Sequence, residues 1–158
     1  MRTRRLRHRP VLAAVFCLVA GCSATTGVSQ HELAVRRARW EARGIADYQY
    51  DYLVTGFFIN YGGRPIRIEV RHGVVQAATF VATGEPVPGQ VSEWPTIDQL
   101  FDHAAQAARD GRLRGVRFDP RFDFPAEIDL AGPPDASGSL YATNLQPATW
   151  RAAYHVGR

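Results

Sequence analysis

The chain has 158 residues, 46% hydrophobic and 22% charged, enough for one domain with its own core and too few for two. Its net charge of +4 comes from 19 basic and 15 acidic residues, and every basic one is an arginine. With only two cysteines, Cys17 and Cys22, a disulfide scaffold is excluded.

Arg2, Arg4, Arg5, Arg7 and Arg9 crowd the first nine residues, and an apolar run from Val11 to Ala20 follows. A basic stretch, a short apolar run and a small-residue exit are the marks of a secretory signal peptide, here residues 1–21. The run falls far short of the ~20 residues a membrane-spanning helix needs. Thr3-Arg4-Arg5-Leu6 lacks the hydrophobic residues that follow a twin-arginine pair and reads as part of that basic stretch. Val19-Ala20-Gly21-Cys22 resembles a bacterial lipobox, which implies cleavage after Gly21 and acylation of Cys22 with palmitate-like chains. A cut after Ala24, as in an ordinary secreted protein, is the poorer match. Ser23, a residue other than Asp behind the cysteine, implies the outer membrane, with the protein facing the periplasm. Without residues 1–21, fourteen arginines face fifteen carboxylates, a net charge of −1. Nucleic acid therefore loses its electrostatic claim as a partner.

Residues 22–28 are small and polar and suit a flexible tether from the lipidated cysteine. A domain over 29–146 and a tail over 147–158 follow. Ser29 three residues before Glu32 marks the start of a helix over about Gln30–Arg43, stopped by Gly44. Leu33, Arg37 and Trp40 share one side of it, and Glu32, Arg36, Arg39 and Arg43 form a charged stripe. Tyr48, Tyr50 and Tyr52 alternate with polar residues, the period-2 pattern of a strand running towards Phe58, with a turn at Asn60-Tyr61-Gly62-Gly63. Ile66, Ile68 and Val70 alternate in a second strand. A two-residue turn at His72-Gly73 pairs Arg71 with Val74, so that Ile66, Ile68 and Val70 face Thr79, Ala77 and Val75.

Gly84 to Gly89 is a loop. Thr96 and Gln99 form a capping box for a second helix whose stripe is Ile97, Leu100, Phe101, Ala104 and Ala108, ended by Gly111. Extended segments at Val116–Asp119, Ala126–Leu130 and Leu140–Leu145 are punctuated by Asp119-Pro120 and by Gly132-Pro133-Pro134-Asp135. The order α-β-β-β-α-β-β-β leaves no room for parallel crossovers. It predicts a single small α+β domain, a mainly antiparallel sheet with both helices on one face.

Trp40 before Tyr48-x-Tyr50, the run Arg67 to Val75, Pro95-Thr96-Ile97-Asp98-Gln99-Leu100-Phe101-Asp102, Val116 to Pro120, Phe124-Pro125 and Ile128-Asp129 together resemble bacterial lipoproteins of the domain of unknown function 6174 family. The likeness spans roughly Ala38 to Leu145. It implies class and location without supplying chemistry. Two departures stand out: Gly56-Phe57-Phe58 replaces a close cysteine pair, and Asp123 replaces a glycine before the aromatic-proline dipeptide.

Neither a nucleophile elbow, a phosphate loop nor a metal-ligand spacing is present, so no catalytic residue, metal or cofactor is expected. Asp119, Asp123, Glu127, Asp129 and Asp135 miss the calcium-loop spacing and read as solvated turn carboxylates, Asp119 capping its own turn. Asp47 and Asp51, about 13 Å apart on an extended strand, are too distant for a glycosidase pair. Two sets of candidate binding residues remain. Tyr48, Tyr50 and Tyr52 form either a ligand platform or the core face of their strand. Arg36, Arg39 and Arg43 meet either anionic headgroups or solvent, with Glu32 pairing Arg36. The expectation is a lipid-anchored envelope protein, a non-catalytic module that binds an envelope protein or small ligand or serves as an inhibitor or assembly accessory of an envelope machine. The alternative is a small envelope hydrolase, which a concave pocket gathering His103 or two carboxylates would favour; a closed sheet with a flat aromatic patch would favour the binder.

Overall fold

The computed structural model describes residues 29–56, 63–132 and 137–148. The signal peptide, Cys22 and its tether, Phe57 and Phe58, the turn residues Asn60-Tyr61-Gly62, the segment Pro133 to Asp135 and the tail from Thr149 lie outside the described residues. In chain order the elements are α1 (Gln30–Glu41), β1 (Tyr48–Gly56), β2 (Ile66–Arg71), β3 (Val74–Phe80), α2 (Ile97–Arg109), β4 (Leu113–Phe118), β5 (Pro125–Leu130) and β6 (Gly138–Pro147). This is the α+β order expected from the sequence.

The six strands form one open sheet in the order β3-β2-β1-β6-β5-β4, antiparallel throughout. Alternation decides its two faces. Tyr48, Tyr50 and Tyr52 stand opposite Val70, Ile68 and Ile66, and all six are buried beneath the helices. The opposite face carries Gln49, Asp51, Arg67 and Glu69; Gln49 and Asp51 bond across to neighbouring strands, and Glu69 bonds Arg71 on its own strand. Arg67 forks onto Asp51 through Nε at 2.9 Å and Nη2 at 3.2 Å, and Asn144 donates to the same carboxylate at 2.9 Å.

Both helices start as their sequences dictate. The Ser29 hydroxyl accepts from the Glu32 amide, and at α2 both halves of the Thr96–Gln99 box form. Ile97, Leu100, Phe101, Ala104 and Ala107 turn inward from α2. α1 is less plainly amphipathic because part of its inner side is polar: the Trp40 indole donates to Asp98 at 3.0 Å, and Arg37 to Asp102 at 2.6 Å. Arg37 shares a side with Leu33 and Trp40 because it reaches α2.

The β2–β3 hairpin turns at His72 (φ 51) and Gly73 (φ 73), with Arg71 opposite Val74. Positive φ at both positions is the two-residue turn whose twist matches the flanking strands. The expected register holds only as far as Val70 opposite Val75. Gln76 is then bulged out, so Ile68 faces Ala78 and Ile66 faces Phe80, in place of Ala77 and Thr79. One extra residue moves every later side chain of β3 to the other face. The bulge brings Phe80 into the core and leaves Thr79 on the polar side. A second bulge lies on β6, where Asn144 takes φ 54 beside its bond to Asp51.

Candidate functional site

The arginine stripe of α1 keeps the expected Glu32–Arg36 pair, at 3.8 Å, but Arg36 and Arg43 also point at a buried carboxylate. Arg36 Nη1 lies 2.8 Å from Asp123 Oδ1, Arg43 Nη2 lies 2.7 Å from Oδ2, and Arg39 stands further off at 3.8 Å. Asp123 is only 8% exposed, so it is no solvated turn residue. The hydrogen bonds from Arg43 and then Arg36 hold its carboxyl below the ordinary 3.8, against the opposing effect of burial. Asp123 also adopts φ 66. Glycine suits that left-handed backbone best and aspartate tolerates it better than most, which fits the glycine that the family resemblance leads one to expect there. The Asp119 carboxylate caps the same turn, accepting from the Arg121 and Phe122 amides at 2.8 and 2.7 Å. Arg36 and Arg43 are thereby committed to holding α1 against the turn before β5. Arg39 stays mostly exposed.

The three tyrosines lie in the core, stacked edge-on or tilted along β1 with ring centroids 6.1 and 6.4 Å apart, and the Trp40 ring meets Tyr48 at 5.6 Å. Two of their hydroxyls complete the start of α2. Tyr48 accepts from the Ile97 amide at 2.9 Å, one of the first-turn N–H groups that a helix cannot satisfy itself. Tyr50 donates to the Pro95 carbonyl. Burial pushes both phenols well above their usual range, so they stay neutral.

Tyr52 differs. It is 6% exposed, its phenol is pushed up to about 12 by burial, and among the described residues nothing bonds its hydroxyl. The ring leans edge-on against Trp94 at 6.3 Å and lines a cleft of about 150 Å³ shared with Arg64, Ile66, Glu93 and His103. Arg64 lies flat on Phe80, its Cζ 3.4 Å from the ring centroid. Among the described residues no ion pair joins Arg64, Glu93 or His103 to any other group. Among the described residues no buried side-chain nitrogen or oxygen lacks a partner, so the unbonded Tyr52 hydroxyl reaches solvent through the cleft, beside exposed charges of both signs, where a polar ligand can meet it.

A larger groove of about 460 Å³ opens at the end of β1, β2 and β6, but the polar groups around it already satisfy one another. There the Gln49 amide donates to Gln146 at 2.8 Å and Arg71 bonds Glu69. Among the described residues no three His, Cys, Asp or Glu side chains converge as a metal site requires. Asp47 and Asp51 are divided between tasks, Asp47 accepting from the His72 amide at 2.7 Å while Asp51 holds Arg67.

A family model described as "Family of unknown function (DUF6174)" matches residues 32–146, nearly the whole of the domain just described. The chain belongs to that family. No curated protein and no solved structure matches it. Family membership thus brings no chemistry, and the cleft rests on its own geometry. Of the residues singled out from sequence, the fold brings Arg36, Arg39 and Arg43 to Asp123, buries Tyr48 and Tyr50 with their hydroxyls bonded to the start of α2, Tyr48 also bordering the larger groove, and sets Tyr52 at the smaller cleft; Cys22 lies outside the described residues. Arg64, Glu93 and Trp94 were not foreseen as site residues. Their segments carry no shared periodicity, and only the tertiary fold brings the residues before β2, the turn before α2 and α2 itself together beside Tyr52. His103, read from sequence as an exposed histidine, is the cleft residue expected to favour an enzyme.

Proposed function

We propose that the chain is a lipid-anchored protein of a bacterial envelope, held in the outer membrane through Cys22 and facing the periplasm, whose domain binds a small ligand in the Tyr52 cleft. The anchor is supported by the order of the N-terminal sequence, from the arginine cluster through the apolar run to Val19-Ala20-Gly21-Cys22. Ligand binding is supported by one observation: of the three tyrosine hydroxyls of β1, that of Tyr52 makes no hydrogen bond among the described residues and opens on a cleft.

Two measurements test this. Cys22→Ser stops incorporation of labelled palmitate and releases the protein from the membrane fraction; membrane partition equal to wild type refutes the anchor. For the cleft, the mature protein in detergent is screened by NMR against small carboxylates, amines, amino acids and sugars. A compound that shifts the Trp94 indole and His103 ring signals saturably, and fails to do so in Tyr52→Phe, supports binding. Silence from the whole set refutes it.

His103 and Glu93 in one cleft favour a second reading, a small hydrolase. General base catalysis needs the base within hydrogen-bond reach of the proton it takes, commonly oriented by a third group. Among the described residues neither His103 nor Glu93 has such a partner. Turnover of small esters or amides that His103→Gln abolishes, with ligand shifts at Trp94 retained, would establish the hydrolase.

A further inference from the structure

Resting on the proposed anchor at Cys22, we infer that the exposed face of α1 lies on the anionic phospholipid surface that holds the acyl chains. Only one side of α1 packs on the rest of the domain. Leu33, Arg37 and Trp40 take that inner side, and Arg36 and Arg43 turn to Asp123 at its edge. The outer side carries Val35, Ala38, Arg39 and Ala42, all exposed and brought together by helical spacing. Val35 is a large apolar side chain left 36% exposed. Glu32 lies towards Arg36, at 3.8 Å, and Glu41 bonds Arg37 on the inner flank, so neither carboxylate of α1 interrupts this strip.

Cations border the strip. The Arg39 side chain is 59% exposed and stands 3.8 Å from Asp123, beyond hydrogen-bond reach. Arg121 is exposed too, its guanidinium 4.7 Å from the centroid of the Phe122 ring that Arg43 approaches at 5.8 Å. The neighbouring Asp119 carboxylate is taken up by the Arg121 and Phe122 amides. Exposed apolar side chains flanked by arginines suit the boundary of headgroups and acyl chains, where apolar burial and electrostatic attraction add. Reach agrees with this. Gln30 follows Cys22 by eight residues, at most about 28 Å of chain, and Arg39 lies about 14 Å further along the helix. A contact made on so short a leash is intramolecular, so a patch too weak to recruit a free protein still orients a tethered one.

The test incorporates the mature acylated protein into vesicles of phosphatidylcholine, alone or mixed with phosphatidylglycerol. Modification of each arginine by phenylglyoxal is then followed by mass spectrometry. Arg39 and Arg121 should react about fivefold more slowly on the anionic vesicles, and about 1 M salt should remove the difference. Arg67 and Arg117, which pair with Asp51 and Glu127 on the sheet face away from the helices, should react alike on both. Ala38→Glu puts a carboxylate into the strip at an exposed position and should restore most of the Arg121 reactivity with the unfolding midpoint unchanged. Equal reactivity of Arg39 and Arg121 on the two vesicles, in protein that floats with both, refutes the docking and leaves the anchor standing. Slowing on neutral vesicles as well, equal slowing of Arg67 and Arg117, or protection that survives Ala38→Glu also overturns it. Protein that floats with neither vesicle refutes the anchor, and the inference falls with it.

Discussion

Along β1 the same residue type does two different jobs. At the α1 end of the aromatic face, Tyr48 and Tyr50 spend their hydroxyls on the start of α2, and Arg36 and Arg43 spend their charge on Asp123. Two residues further along, the Tyr52 ring is buried too, yet its hydroxyl opens on a cleft and makes no hydrogen bond among the described residues, and the nearby charges of Arg64 and Glu93 form no ion pair there. Burial alone therefore does not separate a structural group from a functional one. Satisfaction does: a buried polar atom with its bond made holds the fold, and a hydroxyl that reaches a cleft unbonded is available to a ligand.

The largest effect that would break this comparison lies at Asp123. Asp123→Ala removes the acceptor shared by Arg36 and Arg43 and puts alanine at φ 66. With both arginines about one-third exposed, so that water screens part of the loss, we expect about 2–3 kcal/mol of destabilisation in urea unfolding. Asp123→Gly should recover part of it, since glycine carries no backbone strain there. Next come Tyr50→Phe, which leaves the Pro95 carbonyl without its donor, and Tyr48→Phe, which leaves the Ile97 amide without its acceptor; each should cost about 1–2 kcal/mol by the same measurement.

Acid titration sharpens the same contrast with a smaller effect. The folded-state pKa of Asp123 is lowered, so the unfolded chain takes up its proton first as pH falls. The stability it contributes is fully present above the ordinary value of 3.8 and is lost as pH falls below that value. Asp123→Asn should flatten that part of the stability profile, while Tyr52→Phe should leave it unchanged. A wild-type profile that stays level below pH 4 would mean that the arginines do not hold this carboxylate.

The fold was more legible in the sequence than the site. Alternation at Tyr48-Tyr50-Tyr52 and Ile66-Ile68-Val70, the Thr96–Gln99 box and the His72-Gly73 turn are local signals, and the structure follows each of them. The bulge at Gln76 was not legible, because an extra residue in a strand is decided by which partner places Phe80 in the core, a long-range matter. The role of Asp123 was hidden for the same reason. Its partners lie 80 and 87 residues away on α1, and from spacing alone both sides of the pair looked solvated. Only the glycine that the family resemblance implied at this position hinted at an unusual backbone. The cleft draws on β1, the residues before β2, the short turn before α2 and α2 itself, so no stretch of sequence announces it.

The most direct test of the account compares urea unfolding of Tyr50→Phe and Tyr52→Phe with wild type in the absence of added ligand. A hydroxyl already spent on the fold should be missed, and one held open for a ligand should not. The account predicts a loss of about 1–2 kcal/mol for Tyr50→Phe and a change within about 0.5 kcal/mol for Tyr52→Phe. A Tyr52→Phe protein destabilised as much as Tyr50→Phe would show that the Tyr52 hydroxyl serves the fold, and would contradict the claim that the cleft keeps it free for a ligand.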